Sequence, residues 1–237
     1  MNILIIHAHP EPKSFNAAMT TTAVDWFTAN GDAVTVSDLY AMNFDPVSDR
    51  RNFLTAKDPS YYKQQIEEMH ASQIDGFSSD IKNEIEKLEA CDGLILQFPL
   101  WWFGMPAILK GWADRVLVMG RVYGGGKFYD NGAFQGRRAM VSVSTGGPET
   151  MYRSDGLNGD IHQILFPINH GILRFTGFDV LPPFIAYAPA HVNDEDRRCY
   201  LDMYRKRLAG FQTDTPIRYP SLNEYDPNTF QRQSKEE

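Results

Sequence analysis

The chain has 237 residues, 43% of them hydrophobic and 22% charged, which is enough to bury one full α/β core without requiring a second domain. Its formal net charge is −7 with no long run of one sign, which argues against a nucleic-acid footprint or a polybasic membrane patch and points to a small-molecule partner. The apolar start Ile3-Leu4-Ile5-Ile6 is broken at once by His7, His9 and Pro10, too soon for a signal peptide; with no membrane-spanning stretch elsewhere, a cytoplasmic location and no membrane insertion are expected.

The first predicted strand covers residues 2–7 and runs into His9-Pro10-Glu11-Pro12-Lys13-Ser14-Phe15-Asn16, where two prolines hold a loop open just before a helix. Ser14 is a fitting N-cap, Phe15, Met19, Ala23, Trp26 and Phe27 recur at helical spacing as a core stripe, and Asn30-Gly31 is a natural stop. Free amides at that helix start, the Ser14 hydroxyl, the Asn16 amide and the His9 imidazole can together hold a phosphate or pyrophosphate. His7 and His9 also suggest a metal, but no third ligand lies near them. No GxGxxG follows the strand, so a dinucleotide is not expected to bind there in the usual NAD mode.

A second strand is predicted at 33–37, and residues 40–80 are long, polar and weakly periodic, the character of a segment that folds over a site or covers another subunit. The third, at 92–98, reads as buried on both faces and stops at Pro99-Leu100-Trp101-Trp102-Phe103-Gly104-Met105-Pro106, with a helix starting at Pro106. Three aromatic rings at a βα junction suit the wall of a planar cofactor, because open parallel sheets bind ligands at the carboxyl ends of their strands; the plainer reading is an aromatic lid with no ligand. Gly124-Gly125-Gly126-Lys127 lacks the Ser or Thr and the upstream glycine of a phosphate loop, and reads as a flexible loop.

The fourth strand, 138–144, opens into Thr145-Gly146-Gly147-Pro148 with Tyr152 beyond, where glycines let main-chain amides approach a ligand edge. Asn193 is placed to cap a helix that is acidic at its start, basic near its end, and stops at Gly210. Residues 1–212 are therefore read as one doubly wound α/β domain with a parallel sheet and helices on both faces, and 213–237 as an irregular tail. Cys91 and Cys199 fit no CxxC or CxxH pattern and read as reduced, semi-buried thiols, and no GxSxG elbow supports a serine hydrolase.

Together, residues 9–16, Ser37-Asp38-Leu39-Tyr40-Ala41-Met42-Asn43-Phe44, residues 97–112, Thr145-Gly146-Gly147 with Tyr152, and residues 167–181 resemble the NAD(P)H:quinone oxidoreductases of the DT-diaphorase type. The resemblance implies a flavodoxin-like fold, tightly bound FAD, NADH or NADPH as donor, a quinone or similar flat acceptor, a homodimer with its sites at the interface, and two-electron ping-pong transfer. It places His9, Ser14, Phe15 and Asn16 at the FAD phosphates, Pro99, Leu100, Trp102 and Phe103 along the isoalloxazine, and Thr145, Gly146, Gly147 and Tyr152 at the pyrimidine edge. Asp114 and Arg197 face the rest of the cofactor, and Tyr123, Phe128 and His191 line the substrate pocket.

Two departures mark this chain. Where the family pairs its tyrosine with a histidine six residues on, Asn158 follows Tyr152, and an amide donates but does not take a proton. Gly125 replaces a second pocket tyrosine, and His170 is the candidate to stand in for the lost imidazole. Two rival readings are an FMN-dependent azo- or nitroreductase, and a cytosolic flavoprotein subunit regulating a potassium-efflux system.

Overall fold

In the computed structural model, which describes residues 1–233, strands form where the sequence predicts them: β1 (Asn2–His7), β2 (Ala33–Asp38), β3 (Gly93–Pro99) and β4 (Arg138–Thr145). All pair in parallel in the order β2-β1-β3-β4. Each strand alternates its side chains between faces, so Ile3 and Ile5 enter one core while Leu4 and Ile6 enter the other. Such a sheet must be covered on both sides. The helices α1 (Phe15–Ala29) and α5 (Asp194–Ala209) cover the first face through Met19, Phe27, Tyr204 and Leu208. Across the sheet, α3 (Ser79–Ala90) and α4 (Ala107–Val116) pack Ile81, Ile85, Leu109 and Trp112 against the second. This is the doubly wound α/β architecture expected.

The sheet ends with two short strands the sequence did not reveal. β5 (Asp179–Val180) pairs with the start of β4 and β6 (Phe184–Tyr187) with its end, giving the order β2-β1-β3-β4-β5 with β6 on the same flank. Pro182 and Pro183 lie between them; without N–H groups they interrupt the hydrogen-bond ladder and divide what would be one strand.

Caps follow the predicted chemistry. The Ser14 hydroxyl accepts the Ala17 N–H at 3.1 Å, Asn193 accepts from the Asp196 N–H at 2.9 Å, and Gly31 follows the end of α1 at φ +83°. Pro106 occupies the N-cap of α4, one residue ahead of the helical position the sequence suggested.

Residues 40–80 pack onto their own chain. They hold a short 3₁₀ turn (Arg50–Asn52) and α2 (Gln64–Ile74), and they are clamped to α4 by buried Arg115, which donates to Asn52 Oδ1 (2.7 Å), the Asp45 carbonyl (2.6 Å) and Asp80 Oδ2 (3.0 Å). The tail also docks on its own chain: the Ile217 N–H donates to the Val180 carbonyl at 2.7 Å, and Leu222–Glu224 forms a capped 3₁₀ turn. The glycine run is a shaped turn, with φ of 96°, 61° and 86° at Gly124, Gly125 and Gly126, values that only glycine adopts readily in succession. Cys91 is buried, which pushes its thiol up to about 11, whereas Cys199 is exposed; both are free thiols and neither is semi-buried. No helix among the described residues is long and apolar enough to cross a membrane.

Candidate functional site

Register brings the strand ends together: His7 lies opposite Gln97, Pro99 opposite Ser144, and Thr145 opposite Tyr187. Beyond this edge opens a cleft of about 510 Å³. Its walls are His9, Lys13, Ser14, Phe15 and Asn16 from the first loop and α1, Pro99, Leu100 and Trp101 from the second, Thr145 and Gly146 from the third, and Pro189, Ala190 and Arg197 from the region after β6.

The α1 end of the cleft gathers hydrogen-bond donors. First-turn amides of a fifteen-residue helix have no intrahelical acceptor and carry the positive end of its dipole. His9 Nδ1 accepts the Glu11 N–H at 3.0 Å, which assigns the proton of the neutral ring to Nε2, the nitrogen left to donate. Asn16 behaves differently from the sequence reading. Its side chain is turned under the cleft, where Nδ2 donates to Ser144 Oγ (2.8 Å) and Oδ1 accepts from Gln97 Nε2 (2.9 Å), which leaves the residue its main-chain N–H to offer at the helix start. Sequence spacing gave no sign of this tie across α1, β3 and β4.

The aromatic wall is a tight hairpin. Trp101 and Gly104 exchange main-chain hydrogen bonds of 3.1 and 3.0 Å, and the two residues between them, Trp102 and Phe103, stand at φ 50° and 60°. Left-handed backbone at bulky residues costs on the order of 1–3 kcal/mol each and persists where the surroundings impose it. The result puts Trp101 on the cleft and turns Trp102 outward, 98% exposed, with Phe103 half exposed beside it.

The third loop supplies a flat shelf. Thr145 Oγ1 donates to the Gly147 carbonyl at 2.8 Å, and the Ala188 N–H donates to the Thr145 carbonyl at 3.0 Å, fixing the turn to the end of β6. A Cβ placed on Gly146 would meet nothing within 4 Å, whereas one on Gly147 would strike Met151 Sδ at 2.8 Å. Tyr152 is buried behind this turn, 6.1 Å from the Tyr187 ring. Asn158 is held nearby by its main chain, its N–H donating to the Met151 carbonyl at 2.8 Å.

Other predicted residues lie apart from the cleft. The Asp114 carboxylate pairs with Lys110 at 2.5 Å on the exposed side of α4. Arg197 does line the cleft, but its guanidinium already serves the Val192 carbonyl (2.6 Å), the Pro189 carbonyl (3.1 Å) and the Asp194 carboxylate. His191 is exposed. The Tyr123 hydroxyl donates to Glu68 Oε2 at 3.2 Å; Glu68 is buried on α2, which raises its carboxyl above the ordinary range against the Met119, Gln64 and Tyr123 hydrogen bonds. Phe128 and His170 line a different cavity with the tail. His7 shares its Nδ1 with Thr20 Oγ1 at 2.8 Å, and burial lowers its pKa.

Lys13, Pro189 and Ala190 line the cleft without having been singled out, and of the three rings read as its wall it is Trp101 that faces it. Lys13 lay within the recognised loop, but Pro189 and Ala190 follow β6, whose signal the prolines hide.

Residues 1–208 match a family model described as flavodoxin-like fold. The chain is 43% identical over 216 residues to the ribosyldihydronicotinamide dehydrogenase (quinone) of Homo sapiens, covering 91% of this chain and 94% of that protein. It is also 43% identical over 226 residues to the NAD(P)H dehydrogenase (quinone) 1 of Cavia porcellus, covering 95% and 82%. A crystal structure described as a candidate quinone reductase from Klebsiella pneumoniae superposes with a TM-score of 0.95 at 37% identity, over 98% of this chain and 94% of that one. With its parallel sheet, its cleft at the carboxyl edge and relatives matched along almost its whole length, the chain belongs to the NAD(P)H:quinone oxidoreductase family of flavodoxin-like proteins.

Proposed function

We propose that the protein is a flavin-dependent NAD(P)H:quinone oxidoreductase that holds FAD in the cleft and works by a ping-pong sequence. The observation that carries this reading is the convergence of an anion-binding helix start, an aromatic hairpin and an open glycine shelf on one sheet edge. The residues fit such a group: the empty space over Gly146 admits a flat ring against main chain, and the α1 amides with His9, Lys13 and Ser14 suit phosphates. Ala190 and Arg197 add further wall beyond the phosphate end, which supports FAD over FMN.

A bound flavin supplies a ring that takes a hydride from a reduced nicotinamide and delivers it to a quinone. The chain's own part is positioning and electrostatics. Pro99, Leu100 and the hairpin that sets Trp101 on the cleft through the strained Trp102-Phe103 turn would align the ring, and the Gly146 and Gly147 amides with the Tyr152 hydroxyl would stabilise negative charge on it. Asn158 orients without relaying a proton. Donor and acceptor take the same face in turn. Tyr123, Phe128 and His191 lie off the cleft of their own chain, and Trp102 projects into solvent, so a homodimer in which a second copy brings those residues to the cleft completes the acceptor pocket.

Purified protein is expected to be yellow, to release FAD on acid extraction as identified by mass, to bleach under anaerobic NADH or NADPH, and to sediment as a dimer. A colourless protein that takes up no flavin overturns the reading, and release of FMN alone redirects it to the azoreductase-like alternative.

A further inference from the structure

Three Asn-Gly steps occur in the chain, at Asn30-Gly31, Asn131-Gly132 and Asn158-Gly159. In such a step the main-chain nitrogen of the glycine can attack the asparagine side-chain carbonyl, because no Cβ on the second residue stands in the way. The fold treats the three differently.

Asn30 closes α1, where its Nδ2 donates to the Trp26 carbonyl at 2.7 Å and the Gly31 N–H to the Thr28 carbonyl at 3.1 Å, so both reacting groups are pinned to the helix end. Asn131 ends a 3₁₀ turn (Tyr129–Asn131), and the glycine after it is buried main chain against main chain. A Cβ on Gly132 would lie 2.5 Å from the Gly177 Cα, and the Gly132 N–H donates to the Tyr129 carbonyl at 2.9 Å. At both places the nitrogen reaches Cγ only after local unfolding.

Asn158 is placed otherwise. It lies in an irregular stretch, 153–160, where Arg153, Ser154, Asp155 and Leu157 are exposed, Leu157 to 87%. Its side-chain amide makes no hydrogen bond to any described residue. The Asn158 N–H is tied to the Met151 carbonyl at 2.8 Å, but on the other side Gly159 stands at φ +77°, and a Cβ there would meet nothing within 4 Å. The Gly159 N–H donates to the Gly156 carbonyl at 3.0 Å, a bond between two glycines that opens with the loop alone.

We propose that Asn158 is a site of spontaneous deamidation, the folded chain directing this chemistry to one of its three Asn-Gly steps. The Gly159 nitrogen bonds to Asn158 Cγ, the Cγ–Nδ2 bond breaks, and Nδ2 leaves as ammonia with the proton that the Gly159 nitrogen gives up, closing a cyclic imide. Water then opens the imide at either carbonyl and leaves aspartate or its isoaspartyl isomer. Nothing is oxidised or reduced, and the chain becomes one unit more negative than its formal −7. Because only the chain and water take part, the step does not depend on the flavin reading. The new carboxylate stands beside Met151, whose sulfur backs the Gly147 turn, so the charge arrives at the shelf of the cleft.

The test holds the full chain at mildly alkaline pH in oxygen-labelled water, folded and in guanidinium chloride, until the unfolded sample has converted, and reads all three sites by peptide mass spectrometry. In the folded chain, replacement of amide by acid with one labelled oxygen is expected at Asn158 at least about tenfold faster than at Asn30 or Asn131, which wait on local opening. Unfolded, the three should convert at comparable rates. Asn158→Asp, made directly, should coelute with the aspartate fraction of the aged peptide. Conversion led by Asn30 or Asn131, or equal at all three sites in the folded chain, overturns the proposal. So does an Asn158 that stays an amide in the folded chain while the unfolded sample converts.

Discussion

The two hollows of this molecule keep their shape by different means. The cleft is framed by main chain: strand ends in register, free amides at α1 and a hairpin fixed by paired backbone bonds, all continuous with the sheet. The tail cavity is framed by side-chain rings from distant parts of the chain and closed by hydrogen bonds that converge on one carboxylate, Asp130. A frame of the first kind fails only with the fold, whereas one of the second kind can open while the fold persists.

Asn16→Ala is the hardest blow to that distinction. It strips Ser144 and Gln97 of their shared partner in a buried network where Gln97 Oε1 already has none, and it should lower the unfolding free energy by about 2–3 kcal/mol in urea titrations. A loss under about 1 kcal/mol would show that the cleft floor does not depend on the network. Next in size, Tyr152→Phe should slow flavin reduction by NAD(P)H about tenfold, equivalent to about 1.4 kcal/mol, whereas Asn158→Ala should stay within about twofold because its recorded tie is through the main chain. Equal effects in stopped-flow measurements would assign Asn158 a direct part.

The smallest effect belongs to the tail. Burial raises the Asp130 carboxyl, but the Leu222 N–H, Arg174 and Ser221 outweigh it and hold the group below the usual carboxylate range. A depressed folded value contributes stability above the unfolded pKa, and that contribution is lost as pH falls through the folded value. The Leu222 amide should therefore be protected from hydrogen exchange at neutral pH and lose protection only below about pH 3.9, the ordinary carboxylate value. Asp130→Asn should weaken that protection already at neutral pH, by about 1 kcal/mol. Protection that persists into acid would mean the tail is held by its apolar contacts alone.

The readable parts of this protein were those whose determinants are local. β1, β3 and β4 each carry an apolar run (Ile3–Ile6, Leu94–Leu96 and Ala139–Val141), Ser14 and Asn193 cap the helices beside them, and the cleft loops follow directly from those strand ends. α2 escaped because it buries Glu67 and Glu68 in place of an apolar stripe: Glu67 accepts the Lys57 and Asp58 amides and Glu68 the Met119 amide, so its periodicity is carried by acids that read as surface. The orientation of Asn16 depends on Gln97 and Ser144, and that of Tyr123 on Glu68, pairings that no spacing in the sequence reveals. The glycine turn at 124–126 was recognised as no phosphate loop, but its fixed geometry lies in dihedral angles that composition does not encode.

The pair Pro182-Pro183 has a consequence beyond dividing the last strand. An outer strand with a continuous row of unpaired N–H and C=O groups is a template on which another chain can add itself, and natural sheets blunt such rims. Here the outermost ladder on that flank is cut into pieces of two and four residues, and two of the three residues between them, Pro182 and Pro183, have no donor. Replacing both prolines with β-branched residues would join the pieces into a longer, regular rim, and the expected gain in local order would come with a new tendency to assemble edge to edge. The break that concealed this strand from its sequence is thus also what keeps the sheet from growing.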